Sequence, residues 1–195
     1  MCIRDRPDIL HAALQRGGRP AFIARLTLAA TLAANYGIYG PAYELQEHVA
    51  REPGSEEYRD SEKYQLRHWD LERHDSLSGL ITRMNAARRD NPALQQDWTL
   101  RFLPVDNDQL IAYRKTTPGL DNVIVMAVNL DTRYVQSGWL ELDLEALDLE
   151  AHAPYEVRDL LSGARYTWQG RRNFIRLDPG MGHVLRLERP RRSTA

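Results

Sequence analysis

At 195 residues with a 43% hydrophobic fraction, the chain is long enough to bury a core and too apolar to be disordered along its length. Its 26 Lys and Arg against 27 Asp and Glu leave a net charge of -1, which excludes the basic footprint of a nucleic-acid or anionic-membrane binder. The single cysteine, Cys2, excludes a disulfide framework and a cysteine metal site, and reads as a reducing, cytoplasmic setting. The longest apolar run, Leu26 to Ala34, is far shorter than the ~20 residues a membrane span needs. The N-terminus lacks the ordered basic, apolar and small-residue regions of a signal peptide.

Met1 to Arg6 carries no helix or strand start and joins abruptly to a helix signal at Pro7-Asp8. The expectation is that these six residues are foreign to the gene and that the chain is the tail of something longer. Asp8 is placed to cap a helix running from Ile9 to Gln15, with Gly17-Gly18 as its stop. Pro20 then opens a second helix, Ala21 to Ala34, which is apolar nearly all round apart from Arg25 and the threonines. Such a helix is a buried one.

Ile38-Tyr39 and its neighbours form a short strand candidate, broken by Gly37, Gly40 and Pro41. From Gln46 to Tyr64 the chain is charge-dense and without period, with a turn at Pro53-Gly54-Ser55. A structureless connection of that length inside a compact domain is usually functional. Asp75-Ser76 caps a third helix whose stripe is Leu77, Leu80, Ile81, Met84 and Ala87, stopped by Asn91-Pro92.

Beyond Trp98 the pattern turns to strands: 110–115, 122–130, 139–144, 155–160, 165–168, 173–177 and 183–188. Leu140, Leu142 and Leu144 alternate with acids, and Ser162-Gly163 and Asp178-Pro-Gly180 supply turns, so an antiparallel sandwich fits best. The division is 1–97, then a β module at 98–190, then a polar tail at 191–195. The fold class is α+β.

This order, with particular words, resembles the end of an α-amylase-type retaining glycosidase: the last helices, strand and loop of a (β/α)8 barrel, followed by its C-terminal β domain. More narrowly it is similar to the α-1,4-glucan:maltose-1-phosphate maltosyltransferases. The words are Pro7-Asp-Ile-Leu-His11, Leu28-Ala-Ala-Thr-Leu32, Tyr36-Gly-Ile-Tyr39, Pro53-Gly-Ser-Glu-Glu-Tyr58 and Asp60-Ser-Glu-Lys-Tyr-Gln65. Asn129-Leu130, Gln136-Ser-Gly-Trp139 and Asp159-Leu-Leu-Ser-Gly-Ala-Arg-Tyr166 continue the match. The turn Tyr39 to Tyr43 is one residue longer than the family's usual one.

The resemblance implies a transferase moving maltosyl from α-maltose 1-phosphate to the non-reducing end of an α-1,4-glucan with release of phosphate. It also implies a cytoplasmic homodimer, with no cofactor, metal, nucleic acid or membrane involved. The nucleophile and acid/base belong upstream, so the chain alone is expected to be inactive. On this resemblance Asp8 is the carboxylate that stabilises the transition state, and Lys63 and Tyr64 bind the donor. A carboxylate there offsets charge growing on an oxocarbenium-like ring. A lysine suits a phosphate oxygen, and a tyrosine offers a sugar both a flat face and a hydroxyl.

The plain readings stand beside these: Asp8 as a helix cap, Lys63 as a solvated charge, and Glu44 and Glu47 as structural partners of Arg51 or Arg67. The six histidines show no metal spacing. Trp98, Trp139, Trp168 and Tyr166 present either a sugar-stacking surface or core. Two alternatives remain to the maltosyltransferase. One is another amylase-type enzyme, such as a trehalose synthase relative. The other is a stand-alone, non-catalytic glucan-binding β module to which the helices are a linker.

Overall fold

The computed structural model describes residues 9–61 and 65–188. The α1 helix covers Ala12–Leu32, interrupted at Gly18, whose φ of 57° and ψ of -160° break it where the glycine pair predicts a stop. Pro20 restarts it. The cap differs from the expectation. His11 is the N-cap, its Nδ1 accepting from the Ala13 N–H at 3.2 Å, while Ile9 and Leu10 are extended and outside the helix. Ile9 instead makes an antiparallel bridge with Glu57, and the Leu10 N–H donates to the Glu56 carbonyl, so this pair runs ahead of the helix.

Beyond the break α1 is buried as its composition requires, with Phe22, Leu26, Thr27, Ala30 and Thr31 fully enclosed. The threonines survive burial because their hydroxyls donate to the helix's own carbonyls, Thr27 to Ile23 at 3.0 Å and Thr31 to Thr27 at 2.7 Å. The Thr31 hydroxyl also meets the Tyr113 hydroxyl at 2.6 Å.

The strand expected at Ile38-Tyr39 is absent. Among the described residues no strand precedes Arg101 apart from isolated bridges. None of the described residues forms a ladder with Ile38, and Gly40-Pro41 instead opens a short helix α2, Gly40–Glu44. Proline is at home in a first helical turn, where its missing N–H costs nothing. Helix α3, Ser78–Asp90, presents Leu80, Met84 and Ala87 inward. Ser76 Oγ receives the Ser78 N–H at 3.0 Å, and Asn91-Pro92 ends the helix in a 3-10 turn, Pro92–Gln95.

Seven of the eight strands among the described residues match expected ones: β2 Leu110–Thr116, β3 Val123–Asn129, β4 Gln136–Glu141, β5 Pro154–Asp159, β6 Arg165–Gln169, β7 Arg172–Leu177 and β8 Gly182–Glu188, with β4 lying three residues earlier than expected, so that Leu142 and Leu144 fall outside it. Only β1, Arg101–Leu103, was not anticipated, being three residues long. All pairs are antiparallel. A six-stranded sheet runs β1-β2-β3-β8-β5-β6, and β4 pairs with β7 as a separate ribbon. The two enclose a core of Leu110, Val125, Leu140, Leu142, Val157, Trp168, Ile175 and Leu185.

Strand β3 is buried at every position, and period two divides its duties. Val123, Val125 and Ala127 face the ribbon, while Ile124 and Met126 join Tyr113, Val184, Ala30, Met84 and Leu94 on the other face. Helices and sheet therefore share one core. Lys115 on β2 is wholly enclosed, with Asp97 Oδ1 3.3 Å from its Nζ. Burial pushes its pKa below the ordinary lysine range against the pull of that carboxylate.

Two further devices lock the layers. Gly180, at φ 65°, comes against the Pro20 backbone, and a Cβ there would collide with the Pro20 carbonyl. Asp159, at the end of β5, accepts from Leu161 N–H at 3.0 Å and Ser162 Oγ at 2.8 Å, with His183 Nδ1 2.9 Å away. Burial works to raise Asp159, but these partners outweigh it and hold the carboxyl below its ordinary value.

Replacing Gly180 with alanine forces both an unfavourable φ and a backbone collision, so a loss of about 2 kcal/mol or more is expected in urea unfolding. The depressed Asp159 carboxyl stabilises the fold above the unfolded-state pKa of about 3.9, and that stability is lost as pH falls through the lower folded value. The variant Asp159→Asn should therefore be less stable at neutral pH and show a shallower loss on acidification below about pH 4. Melting temperatures measured across that range check both.

Candidate functional site

The aromatic run around Tyr39 is fixed by packing instead of by a ladder. Tyr43 meets Phe22 edge-on with centroids 5.1 Å apart, and its hydroxyl donates to the Phe22 carbonyl at 2.7 Å. Burial, the largest influence on that phenol, raises its pKa well above the ordinary tyrosine value. Tyr39 lies 5.6 Å from Tyr58 at a tilt. The Tyr36 hydroxyl donates to Asn85 Oδ1, and the Arg88 guanidinium covers its ring at 5.0 Å.

Among its described residues the charged stretch that follows has no continuous strand or helix, as its lack of period predicts, yet it is well tied. Arg51 N–H donates to Glu57 at 2.8 Å and Arg59 N–H to Val49 at 3.0 Å, around a turn at Pro53-Gly54 where Gly54 has φ 83°. This excursion docks on the segment ahead of α1. Ile9 bridges Glu57, and Leu10 N–H donates to the Glu56 carbonyl at 2.7 Å. Gln15 staples both sides, its Nε2 lying 2.9 Å from the carbonyls of Leu10 and of Ser55. Leu10 and Tyr58 bury their side chains in one cluster with Phe22, Leu26 and Leu77.

The far flank is held by charge. Arg67 approaches Glu47 Oε2 at 3.6 Å, donates to the Arg59 carbonyl at 3.4 Å, and stacks 4.0 Å over Trp69. Glu44 Oε1 accepts from Ser76 Oγ at 3.1 Å. Glu47 thus takes one of its expected partners, Arg67, whereas Glu44 is bonded by Ser76 and Arg51 pairs with Glu57. Asp8, Lys63 and Tyr64 lie outside the described residues. What the structure gives is the frame on either side of them: Ile9 joined to Glu57, and Ser61 receiving the Gln65 N–H at 3.1 Å.

Sequence reasoning overlooked Gln15, whose two carbonyl partners are 5 and 40 residues away, and the Arg67–Trp69 stack. No periodic signal marks either. Among the described residues no three His, Cys, Asp or Glu side chains converge as a metal set, and no helix is long and apolar enough to cross a membrane. The aromatics divide. Trp168 is core, while Trp98, Trp139 and Tyr166 are exposed.

Comparison with known proteins gives consistent matches. The family described as GLGE, C-terminal, matches residues 102–187. The chain is 52% identical over 189 residues to the α-1,4-glucan:maltose-1-phosphate maltosyltransferase of Corynebacterium glutamicum, covering 94% of this chain and 28% of that protein. It is 45% identical over 194 residues to the enzyme of the same name from Chlorobaculum tepidum, covering 95% of this chain and 29% of that one. The chain therefore spans under a third of the length of these relatives. Among solved structures, a maltogenic α-amylase, AmyB of Thermotoga neapolitana, superposes with a TM-score of 0.65 at 12% identity, covering 95% of this chain and 40% of that one. AmyP E221Q in complex with maltotriose gives a TM-score of 0.63 at 16% identity over 88% of this chain and 35% of its own. Those likenesses establish the fold, an antiparallel β-sandwich carried with helices.

Removing the staple with Gln15→Ala forfeits two part-buried hydrogen bonds, each worth about 1 kcal/mol. The Leu10 and Arg59 amides should then exchange with deuterium several-fold faster, while those of β3 keep their protection.

Proposed function

As a member of the α-1,4-glucan:maltose-1-phosphate maltosyltransferase family, this chain is, we propose, the C-terminal part of an enzyme that transfers maltosyl from α-maltose 1-phosphate to the non-reducing end of an α-1,4-glucan. Identity of 42–52% over 175 to 194 residues to relatives of that name is the observation that carries this reading. On it, the helices and the 36–77 segment are the last part of a (β/α)8 barrel. Strand pairing for the Ile38 region would come from preceding chain. The β module at 98–190 is the C-terminal domain, and the enzyme is a cytoplasmic homodimer.

The chemistry is a double displacement with retention. A carboxylate attacks the anomeric carbon as phosphate departs, and a glutamic acid protonates the phosphate and later activates the acceptor hydroxyl. Both groups belong to earlier strands, so this chain supplies the surroundings. Asp8 offsets positive charge on the reacting ring. Lys63 holds a phosphate oxygen, and Tyr64 lies against the sugar. The frame supports this division of labour. The bridge from Ile9 to Glu57 and the Gln15 staple join the stretch next to Asp8 to the excursion that leads to Lys63. A site built from such pieces needs rigid connections, since catalysis tolerates little misplacement.

The test is phosphate release from α-maltose 1-phosphate by the longer protein in the presence of maltohexaose, with acceptors growing by two glucose units. A protein that releases none, or that lengthens acceptors by one unit, overturns the reading. In that enzyme Lys63→Ala should weaken maltose 1-phosphate binding about tenfold or more while leaving maltose binding little changed. Calorimetric titration with the two ligands checks it, and equal losses would show that the lysine does not read phosphate.

A further inference from the structure

The word Asp159-Leu-Leu-Ser-Gly-Ala-Arg-Tyr166 makes the connection from β5 to β6, and one carboxylate organises it. Asp159 is 2% exposed. Its Oδ1 accepts the Leu161 N–H at 3.0 Å and the Val184 N–H at 3.5 Å. Its Oδ2 accepts from Ser162 Oγ at 2.8 Å and lies 2.9 Å from His183 Nδ1. The backbone closes the same turn, with Gly163 N–H donating to the Asp159 carbonyl and Asp159 N–H to the Ala164 carbonyl, both at 2.8 Å. Gly163, at φ 80°, allows so tight a reversal. Leu160 N–H donates to the Val184 carbonyl at 2.8 Å, so the turn is tied to β8 as well as to β5.

Two leucines leave this turn toward the helices. Leu160 packs on the cluster of Ala30, Met84 and Tyr113. Leu161 packs on that cluster and also on the one that holds Leu10, Phe22, Leu26, Tyr58 and Leu77. Among the described residues it is the sole side chain of the β module to reach the second cluster. Leu10 and Tyr58 are 0% and 4% exposed there. They lie within the pairings at the base of the charged excursion, Ile9 with Glu57 and Arg59 with Val49.

We propose that Leu161, held in place by Asp159, is a positioning residue for the transferase reaction, acting through Leu10 on the segment that carries Asp8. The inference rests on the maltosyltransferase reading, which gives Asp8 its role. The anchor is stiff because a buried carboxylate with four partners has few geometries that satisfy them all. The cluster passes that stiffness on, since close-packed side chains have no slack to absorb a shift. Asp8 stands two positions before Leu10, whereas Lys63 stands five beyond Tyr58, so loosening the cluster bears first on Asp8. A carboxylate that offsets charge growing in the transition state tolerates little misplacement, and its loss is felt in kcat more than in KM.

Deuterium exchange of the 195-residue chain reads the contact directly. Leu161→Ala should speed exchange at the Leu10 and Arg59 amides about threefold or more, and Leu161→Met, which keeps the volume, should restore the wild-type rates. Ile175→Ala truncates a more buried side chain of the sandwich core, 4% exposed, so it should lower the melting temperature at least as much while leaving both amides unchanged. In the longer protein, Leu161→Ala should lower kcat for phosphate release from α-maltose 1-phosphate about tenfold, with KM changed by less than about twofold, and Leu161→Met should recover it. Asp159→Asn, left with a single acceptor oxygen, should move both readouts the same way, and it carries the test if Leu161→Ala does not fold. The inference is overturned if the folded variant exchanges Leu10 and Arg59 as wild type does, if its kcat falls no further than that of Ile175→Ala, or if KM alone rises. Those outcomes leave the transferase reading standing. A wild-type longer protein that releases no phosphate overturns that reading, and this inference with it.

Discussion

The fold depends on the burial of α1 on two sides at once. One side, through Ala30 and Thr31, closes the helix-facing surface of β2, β3 and β8. The other, through Phe22 and Leu26, holds Leu10, Tyr58 and Leu77 beneath the charged excursion. Because a single helix serves both clusters, the excursion cannot shift without disturbing the sheet. Arg88 from α3 strengthens the arrangement by donating to the carbonyls of Ala30, Ala33 and Ala34 at the end of α1, where a cation also meets the negative end of the helix dipole. Burial pulls that guanidinium's pKa below its usual value, a cost offset by satisfying carbonyls that would otherwise lack partners.

This coupling removes one alternative reading of the chain, in which helices merely tether an independent β module. Tyr113, Ile124, Met126 and Val184 would be an exposed apolar sheet face without Ala30, Met84 and Leu94 over them. The all-apolar run of β3 says the same thing from sequence. A strand buried on both faces needs two covering layers, and the ribbon provides only one.

Much of this was legible. The sequence pattern located six strands closely and β4 three residues late, and the helix stripe of Leu80, Met84 and Ala87 was found where its spacing put it. The glycine pair broke α1 as expected. What failed was tertiary override. Asp8-Ile9-Leu10 carries a good local helix signal, but Leu10's amide is committed to Glu56, 46 positions along, and the cap moved to His11. Ile38-Tyr39 reads as strand by composition, but among the described residues no strand pairs with it in a ladder. Trp139 and Trp168 illustrate another limit. Both are tryptophans in alternating strands, yet one is core and the other faces out. Which face is inner depends on which sheet each strand joins, and that is decided by residues far away in sequence.

The same logic explains why the residues with the strongest chemical claim are the ones that periodicity says least about. The described residues near them in sequence, Leu10, Ser55 and Arg59, have carbonyls held by side-chain bonds from Gln15 and Arg67 instead of by a regular element. Loops of this kind free side chains from the demands of a helix stripe or a strand face, so the residue at each position can be chosen for a ligand. The consequence is that word-level resemblance, not pattern, is what proposes Asp8, Lys63 and Tyr64. A short word such as Ser-Glu-Lys-Tyr is informative because no packing rule would require it. The rigid frame beneath is where physical reasoning recovers its grip: Leu10, Gln15, Tyr58 and Arg67 have identifiable partners, and any site carried on these loops inherits its precision from them.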